Sequence, residues 1–278
     1  DYAAGKTGAV ATALSRHGID APMRPLRRAP VQSRRRATLG AVMTADGPVL
    51  GLNEALSPRV VDIDRCPLLV APLAALLTPL RGLLGQVLRP PARADVALSV
   101  ADDGAVDVIV SAEAILDLAA REALAAFAEE HDIARLAWKP PGEPPEPVSI
   151  RRDAVADLGG VAVVLPLGGF QQPSREGEAI LQALVMEGIG DAARVADLYC
   201  GIGTFALPLA SAGKQVIAAD GDAPAIRALN QAAGRAGLGG RAGVGGGFRN
   251  RRLPLHHHQS QSLPRDQHRL VWSTYRPQ

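Results

Sequence analysis

Two glycines and two carboxylates between residues 197 and 220 form the part of the sequence best suited to bind a cofactor. Residues 197–206 have the sequence DLYCGIGTFA, in which an apolar strand is expected to enter a tight turn and then a helix. Gly201 and Gly203 permit backbone dihedrals that a Cβ would forbid, and they let a ligand approach the chain closely. The first N–H groups of the following helix have no partner within the helix. Such a turn suits either a dinucleotide or S-adenosylmethionine.

The glycine spacing leaves both ligands open, because Gly201, Gly203 and Ala206 also match the dinucleotide fingerprint, with Asp220 near the spacing of a ribose-binding acid. Asp197 favours S-adenosylmethionine. A carboxylate there would lie awkwardly beside a pyrophosphate, whereas it can interact with the cationic methionine end directly or through water. Asp220 ends the next predicted strand, where it can accept hydrogen bonds from both ribose hydroxyls. The alternative is that both acids only cap helices or solvate strand ends.

The motif resembles the cofactor-binding motif of the bacterial tRNA and ribosomal RNA uracil-5-methyltransferases. Its aromatic-Cys-Gly-x-Gly core, followed by Phe205 and by Leu-Pro-Leu-Ala at 207–210, is much narrower than a bare glycine pattern. Upstream, residues 170–174 (FQQPS) resemble the family's Phe-x-Gln-x-Asn segment, whose Gln contacts the cofactor. The match assigns that contact to Gln172 and puts Ser174 where Asn is usual. The resemblance covers about residues 1–240, and its specific part is 165–235.

This resemblance implies an S-adenosylmethionine-dependent enzyme that forms 5-methyluridine in ribosomal or transfer RNA. It implies a set of cofactor-binding residues that comprises Gln172, Asp197, Tyr199, Gly201, Gly203 and Asp220. In the family, a cysteine thiolate that lies further along the chain adds to C6 of the uracil. We expect Cys200 to be a small packing residue of the cofactor motif, and Cys66 to be a buried apolar residue.

Other landmarks of the family are missing from the sequence. The Asp-Pro-Pro-Arg loop, the Cys-Asn-Pro segment with the nucleophile and the distal Glu base are not found. We therefore predict no catalytic residue, and an inactive fragment truncated at both ends. Many relatives bind an iron–sulfur cluster through four cysteines, but those ligands are absent here, and we predict no metal site.

The elements that must position the motif fall into two patterns. After about residue 155, predicted strands at 161–165, 194–198 and 215–219 alternate with helices, which is typical of a parallel, doubly wound sheet. Before it, a helix is predicted at 2–17. Hairpins such as 37–52, whose Asp46-Gly47 pair is a hairpin signal, and 95–110 accompany helices at 67–87 and 112–130. We therefore predict an incomplete Rossmann-like α/β S-adenosylmethionine-dependent methyltransferase domain (151–240). A smaller α+β domain precedes it (1–150), and a basic tail follows it (241–278).

Charge is distributed unevenly over the chain, whose formal net charge is +2. Residues 241–278 hold seven Arg and one acidic residue, a charge of +6, which leaves −4 for residues 1–240. The tail is interpreted as a disordered or frame-shifted segment, or else as a basic RNA arm, and the arginines of 24–36 as RNA contacts or a solvated linker. An apolar run long enough to span a membrane is absent.

We accordingly expect a cytoplasmic monomer whose partner is RNA. Two alternatives to a methyltransferase remain at this stage. One is an NAD-dependent oxidoreductase that uses the glycine turn, and the other is a non-catalytic RNA-binding fragment.

Overall fold

A computed structural model describes residues 1–238 and the backbone of residues 268–272. The chain forms two compact units, Asp1–Pro30 and a second that begins at Val31. The first unit contains helix α1 (Tyr2–Ser15), which confirms the helix predicted near its start. Asp1 caps α1 by accepting a hydrogen bond from the Ala3 N–H at 3.1 Å. No side chain of α1 is buried.

The second unit opens with a seven-stranded sheet. Its strands are β1 (Arg36–Thr44), β2 (Gly47–Asn53), β3 (Val60–Asp62), β4 (Ala92–Val100), β5 (Val106–Ala112), β6 (Ile133–Lys139) and β7 (Glu146–Ile150). They lie in the order β3-β2-β1-β4-β5-β6-β7, and only β5 and β6 are parallel neighbours. The two predicted hairpins, β1–β2 and β4–β5, are confirmed. Pro147 lies in β7, at the sheet edge, where a residue without an N–H is tolerated.

Three helices cover this sheet and enclose the first hydrophobic core: α2 (Ala71–Ala75), α3 (Leu77–Val87) and α4 (Leu118–Glu130). The core includes Leu80 of α3, Leu124 of α4 and Trp138 of β6. The prediction placed helices at 67–87 and 112–130, and both begin later. Ala112 instead ends β5, which pairs with β4. Helix α4 begins only after Asp117, which caps it by accepting from the Ala120 N–H at 2.8 Å.

The second core is built from seven elements around the glycine turn: β8 (Val155–Asp157), β9 (Ala162–Val164), α5 (Arg175–Ile189), β10 (Arg194–Leu198), α6 (Ala206–Ser211), β11 (Gln215–Ala219) and α7 (Ala223–Arg235). A further strand, β12 (His268–Trp272), pairs with β10 through its backbone. Strands β11, β10 and β12 form a parallel sheet in that order. The predicted strands 194–198 and 215–219 are thus confirmed.

The predicted strand 161–165 does not join that parallel sheet. It forms β9, which pairs antiparallel with β8 in a sheet of two strands. Gly159 and Gly160 both have positive φ, +67° and +85°, and the Val161 N–H donates to the Leu158 carbonyl. Positive φ at both central residues is the geometry of a tight hairpin turn, so Gly-Gly folds β9 back on β8.

The two hydrophobic cores meet at the turn between β4 and β5. Ala101 and Ala105 lie in this turn and Ala134 lies in β6, and all three contribute to the second core. Asp103 accepts from the Val155 N–H at 3.0 Å, and Asp102 accepts from the Asp157 N–H at 2.9 Å. The domain boundary near residue 150 stays a prediction.

Of residues 241–278, the structure describes only the backbone of β12. The disordered, frame-shifted and RNA-arm interpretations of 241–278 otherwise concern residues outside the described ones. Over the part of the chain that is described, no helix has both the length and the apolar character needed to cross a membrane.

Candidate cofactor-binding site

The turn after β10 is held in an unusual backbone conformation. Three of its residues have left-handed dihedrals: Tyr199 (φ +60°), Gly201 (+55°) and Gly203 (+96°). The N–H groups of Tyr199 and Cys200 both donate to the Ala219 carbonyl, at 2.7 and 3.2 Å, and so tie the turn to the end of β11. Tyr199 is 55% exposed and does not pack in the core. A left-handed residue other than glycine costs about 1–2 kcal/mol, and such strain concentrates at functional sites.

The two glycines of the turn serve different purposes. A Cβ on Gly203 would lie 2.8 Å from Leu229 Cδ1 and 3.0 Å from Leu207 Cγ, so this position must be glycine for α6 and α7 to pack. A Cβ on Gly201 would meet no atom within 4 Å. Of the two glycines, Gly201 is therefore the one on the open side of the turn, where a ligand could approach the backbone.

Asp220, which follows β11, lies beside Gly201. Its carboxylate accepts from the Gly201 N–H at 2.7 Å and from the Asp222 N–H at 2.8 Å. The side chain is half-buried. Because a carboxylate has about four acceptor sites, Asp220 can hold the turn and still accept from a ligand hydroxyl.

Asp197 lies beneath the turn with no exposed surface. Among the described residues, neither of its carboxylate oxygens has a hydrogen-bond partner of good geometry. Burial raises the pKa of Asp197 to about 7, and the charge on Asp220 adds to the rise, while the backbone N–H of Ala206 opposes it. A buried carboxylate without partners is costly, and a nearby cation would stabilise its charged form.

Residues 170–174 form an irregular segment before α5. Gln171, rather than Gln172, is the buried glutamine, with 4% exposure and a side-chain oxygen Oε1 that has no hydrogen-bond partner. Gln172 is half-buried. Ser174 caps α5 by accepting from the Gly177 N–H at 3.1 Å. Further along α5, Gln182 Nε2 donates to the Thr204 carbonyl at 3.0 Å and so connects this helix to the glycine turn.

Two arginines that the sequence assigned to RNA or to a linker hold this segment instead. Arg35 Nε donates to the Gln172 carbonyl at 3.0 Å, and an Arg36 nitrogen donates to the Gln171 carbonyl at 2.8 Å. Arg35 is 5% exposed, so the predicted RNA contact is wrong for this residue. Sequence reasoning missed the role because the partners lie about 135 residues apart.

Neither cysteine has the surroundings of a nucleophile. Burial raises the pKa of the Cys200 thiol, and the charges of Asp197 and Asp220 raise it further. The thiol donates only to the Gly201 carbonyl, at a Sγ–O distance of 3.6 Å. Cys66 packs against the first core. Within residues 1–238, no three His, Cys, Asp or Glu side chains are grouped so that they could hold a metal ion, and nothing supports an iron–sulfur cluster there.

Comparison with known proteins finds RNA methyltransferases among the relatives of this chain. The chain is 37% identical over 232 residues to an uncharacterised RNA methyltransferase of Zymomonas mobilis, a match that covers 83% of the chain and 58% of the relative. It is 32% identical over 213 residues to the 23S rRNA (uracil(1939)-C(5))-methyltransferase RlmD of Shewanella sediminis, with 74% of the chain and 47% of the relative covered. The chain thus spans about half the length of these curated relatives. No protein-family model matches it.

The fold is similar to that of a solved structure. The structure of Pyrococcus abyssi tRNA (uracil-54, C5)-methyltransferase in complex with S-adenosyl-L-homocysteine superposes with a TM-score of 0.63 at 17% identity. The superposition covers 84% of the chain and 59% of that protein. At this identity the likeness concerns the fold alone, and it confirms the predicted Rossmann-like α/β fold class.

Proposed function

The chain belongs to the family of bacterial RNA methyltransferases that includes the uracil-C5 enzymes, and from this premise we propose that it forms the S-adenosylmethionine-binding part of an enzyme that makes 5-methyluridine in RNA. The observation that carries the proposal is the strained turn at Tyr199–Gly203. Asp220 fixes this turn on one side, and its open side is at Gly201. The proposal includes a ribosomal or transfer RNA partner, a monomer and a cytoplasmic location.

The residues of the turn suit the charge of S-adenosylmethionine. When bound, this cofactor supplies an activated methyl group on a sulfonium cation, and its methionine end carries an ammonium group. The partnerless carboxylate of Asp197 would gain from either cation. A pyrophosphate would instead bring negative charge next to Asp197, which argues against the oxidoreductase alternative. The relatives give neither that alternative nor the non-catalytic RNA-binding fragment any support.

The proposed contacts fall into two groups. Gln172, Tyr199, Gly201 and Asp220 are proposed to face the cofactor, with Asp220 accepting from the ribose hydroxyls. Asp197 is fully buried, so we propose that it acts through its charge beneath the turn. Gly203 is proposed to serve by allowing α7 to approach, since Leu229 fills the space where its side chain would lie.

Methyl transfer to uracil needs a thiolate, and we propose that this chain does not supply one. Cys200 is buried, and its surroundings hold the thiol in the protonated form. We therefore expect the chain alone to bind the cofactor without methylating RNA.

Parallel titrations of the purified chain with S-adenosylhomocysteine and with NADH test this function. We expect saturable heat with S-adenosylhomocysteine and none with NADH, because only the first ligand avoids a pyrophosphate beside the Asp197 carboxylate. Far-ultraviolet circular dichroism on the same sample verifies that the chain is folded. Binding of NADH without binding of S-adenosylhomocysteine would contradict the proposal and favour the oxidoreductase.

A further inference from the structure

We propose that Arg35 is a positioning residue, which fixes the main chain of residues 170–174 in the shape that the cofactor site requires. The inference rests on the proposed function, because Gln172 of this segment is a proposed cofactor contact. We call the group of Arg35, Asp102 and Glu178 the Arg35 clamp.

The segment has no helix or strand to fix it. Its shape depends on three successive carbonyl groups, those of Gln171, Gln172 and Pro173. Arg36 donates to the first at 2.8 Å, while Arg35 donates to the second through Nε at 3.0 Å and to the third through its backbone N–H at 2.8 Å. Arg35 therefore holds two neighbouring peptide groups at once.

The guanidinium of Arg35 is itself held at its other two nitrogens. One donates to Asp102 at 2.8 Å, and the other lies 3.1 Å from a carboxylate oxygen of Glu178. The side chains of all three residues are at most 7% exposed. Burial raises the pKa of Glu178, and the charge of Arg35 opposes that rise. Arg35 thus stabilises both carboxylates, which repel each other, and in this enclosed site a single arrangement is favoured.

The clamp connects the first sheet to the cofactor turn. Asp102 belongs to the turn between β4 and β5, and Glu178 lies in the first turn of α5. One further turn along α5, Gln182 donates to the Thr204 carbonyl. The arginine therefore fixes the segment with Gln172 relative to the helix that contacts the glycine turn.

Lysine cannot replace arginine in this clamp. Arg35 uses a planar fork in which each of three nitrogens points at a different acceptor, whereas an ammonium group is a single point of charge. Arg35→Lys keeps the charge and most of the apolar stem, so it tests the geometry of the fork.

A matched control is Arg135→Lys. Arg135 is 6% exposed, pairs with the carboxylate of Asp107 and donates to the Leu165 carbonyl at 2.7 Å. It resembles Arg35 in burial and in bonding, but it contacts none of the residues from 170 to 174 in these bonds.

The experiment measures amide hydrogen exchange and S-adenosylhomocysteine affinity in the wild type and in both variants. For Arg35→Lys we expect faster exchange in peptides that cover 168–177 and a loss of affinity of about tenfold. For Arg135→Lys we expect an affinity within about twofold of wild type, even if its melting temperature falls by as much as that of Arg35→Lys.

Each result decides one part of the inference. Unchanged exchange at 168–177 in Arg35→Lys would overturn the clamp itself. Faster exchange with unchanged affinity would overturn its role in positioning the cofactor site, as would equal losses of affinity in both variants. A folded wild type that binds no S-adenosylhomocysteine would overturn the proposed function, while the exchange measurement would still decide on the clamp.

Discussion

Alanine at Gly203 should destabilise the protein far more than alanine at Gly201, although both glycines belong to the same turn. The structure gives the reason: a Cβ at Gly203 would lie 2.8 Å from Leu229 Cδ1, and at Gly201 it would meet nothing within 4 Å. If both glycines served only to admit a ligand, the two substitutions would have similar effects on stability.

The magnitudes follow from two contributions. Left-handed backbone costs an L-residue about 1–2 kcal/mol, and both positions incur that cost. Overpacking of a filled core adds about 1–3 kcal/mol, and only Gly203 incurs it. We therefore expect losses in the free energy of unfolding of about 3 kcal/mol for Gly203→Ala and about 1 kcal/mol for Gly201→Ala.

Urea denaturation followed by circular dichroism measures both values, and a titration with S-adenosylhomocysteine completes the comparison. Gly201→Ala should weaken binding by about tenfold or more, because its methyl group would occupy the open side of the turn. Equal losses of stability in the two variants, or unchanged affinity in Gly201→Ala, would refute the assignment of separate roles.

Three further outcomes are expected. Asp197 has a pKa of about 7 when folded against 3.8 ordinarily, so its folded form keeps a proton that the unfolded form releases, and the free energy of unfolding falls as the pH rises between these values. Asp197→Asn should reduce that fall and stabilise the chain at pH 8 by about 2 kcal/mol in urea denaturation, while weakening S-adenosylhomocysteine binding. At pH 8 iodoacetamide should alkylate Cys66 well before Cys200, as peptide mass spectrometry will show, because Cys200 is buried and its thiol pKa is raised. Ser174→Ala should cost about 1 kcal/mol by thermal melting, and Ser174→Asn almost nothing, because asparagine also caps helices.

Local signals in the sequence were enough to predict most elements. The Asp46-Gly47 pair predicted the hairpin between β1 and β2, and apolar runs predicted β10 and β11 with the bounds that the structure shows. Asp220 was predicted to end the strand next to the turn, and the structure adds that its carboxylate accepts from the Gly201 N–H, because the carboxyl ends of neighbouring parallel strands share one edge of a sheet.

Predictions were wrong where distant residues decide the structure. The exception is the apolar run at 161–165, which was predicted as a strand of the parallel sheet although the adjacent Gly159-Gly160 turn, a local signal, folds it back on β8. Nothing near Arg35 in the sequence indicates that its partners are Asp102 and Glu178, so a run of arginines was interpreted as an RNA contact or a linker. The separate role of Gly203 likewise depends on Leu229 of α7.

The central claim, that the turn beside Asp220 binds S-adenosylmethionine, is tested most directly by calorimetric titration with S-adenosylhomocysteine of the wild type, Asp220→Asn and Asp222→Asn. Asparagine at 220 can still accept from the Gly201 N–H but removes the charge offered to the ribose, whereas asparagine at 222 keeps the cap of α7. The account predicts binding by the wild type, a loss of about tenfold or more in Asp220→Asn and a change within about twofold in Asp222→Asn. Absence of binding by a folded wild type, or equal affinities in the two variants, would contradict it.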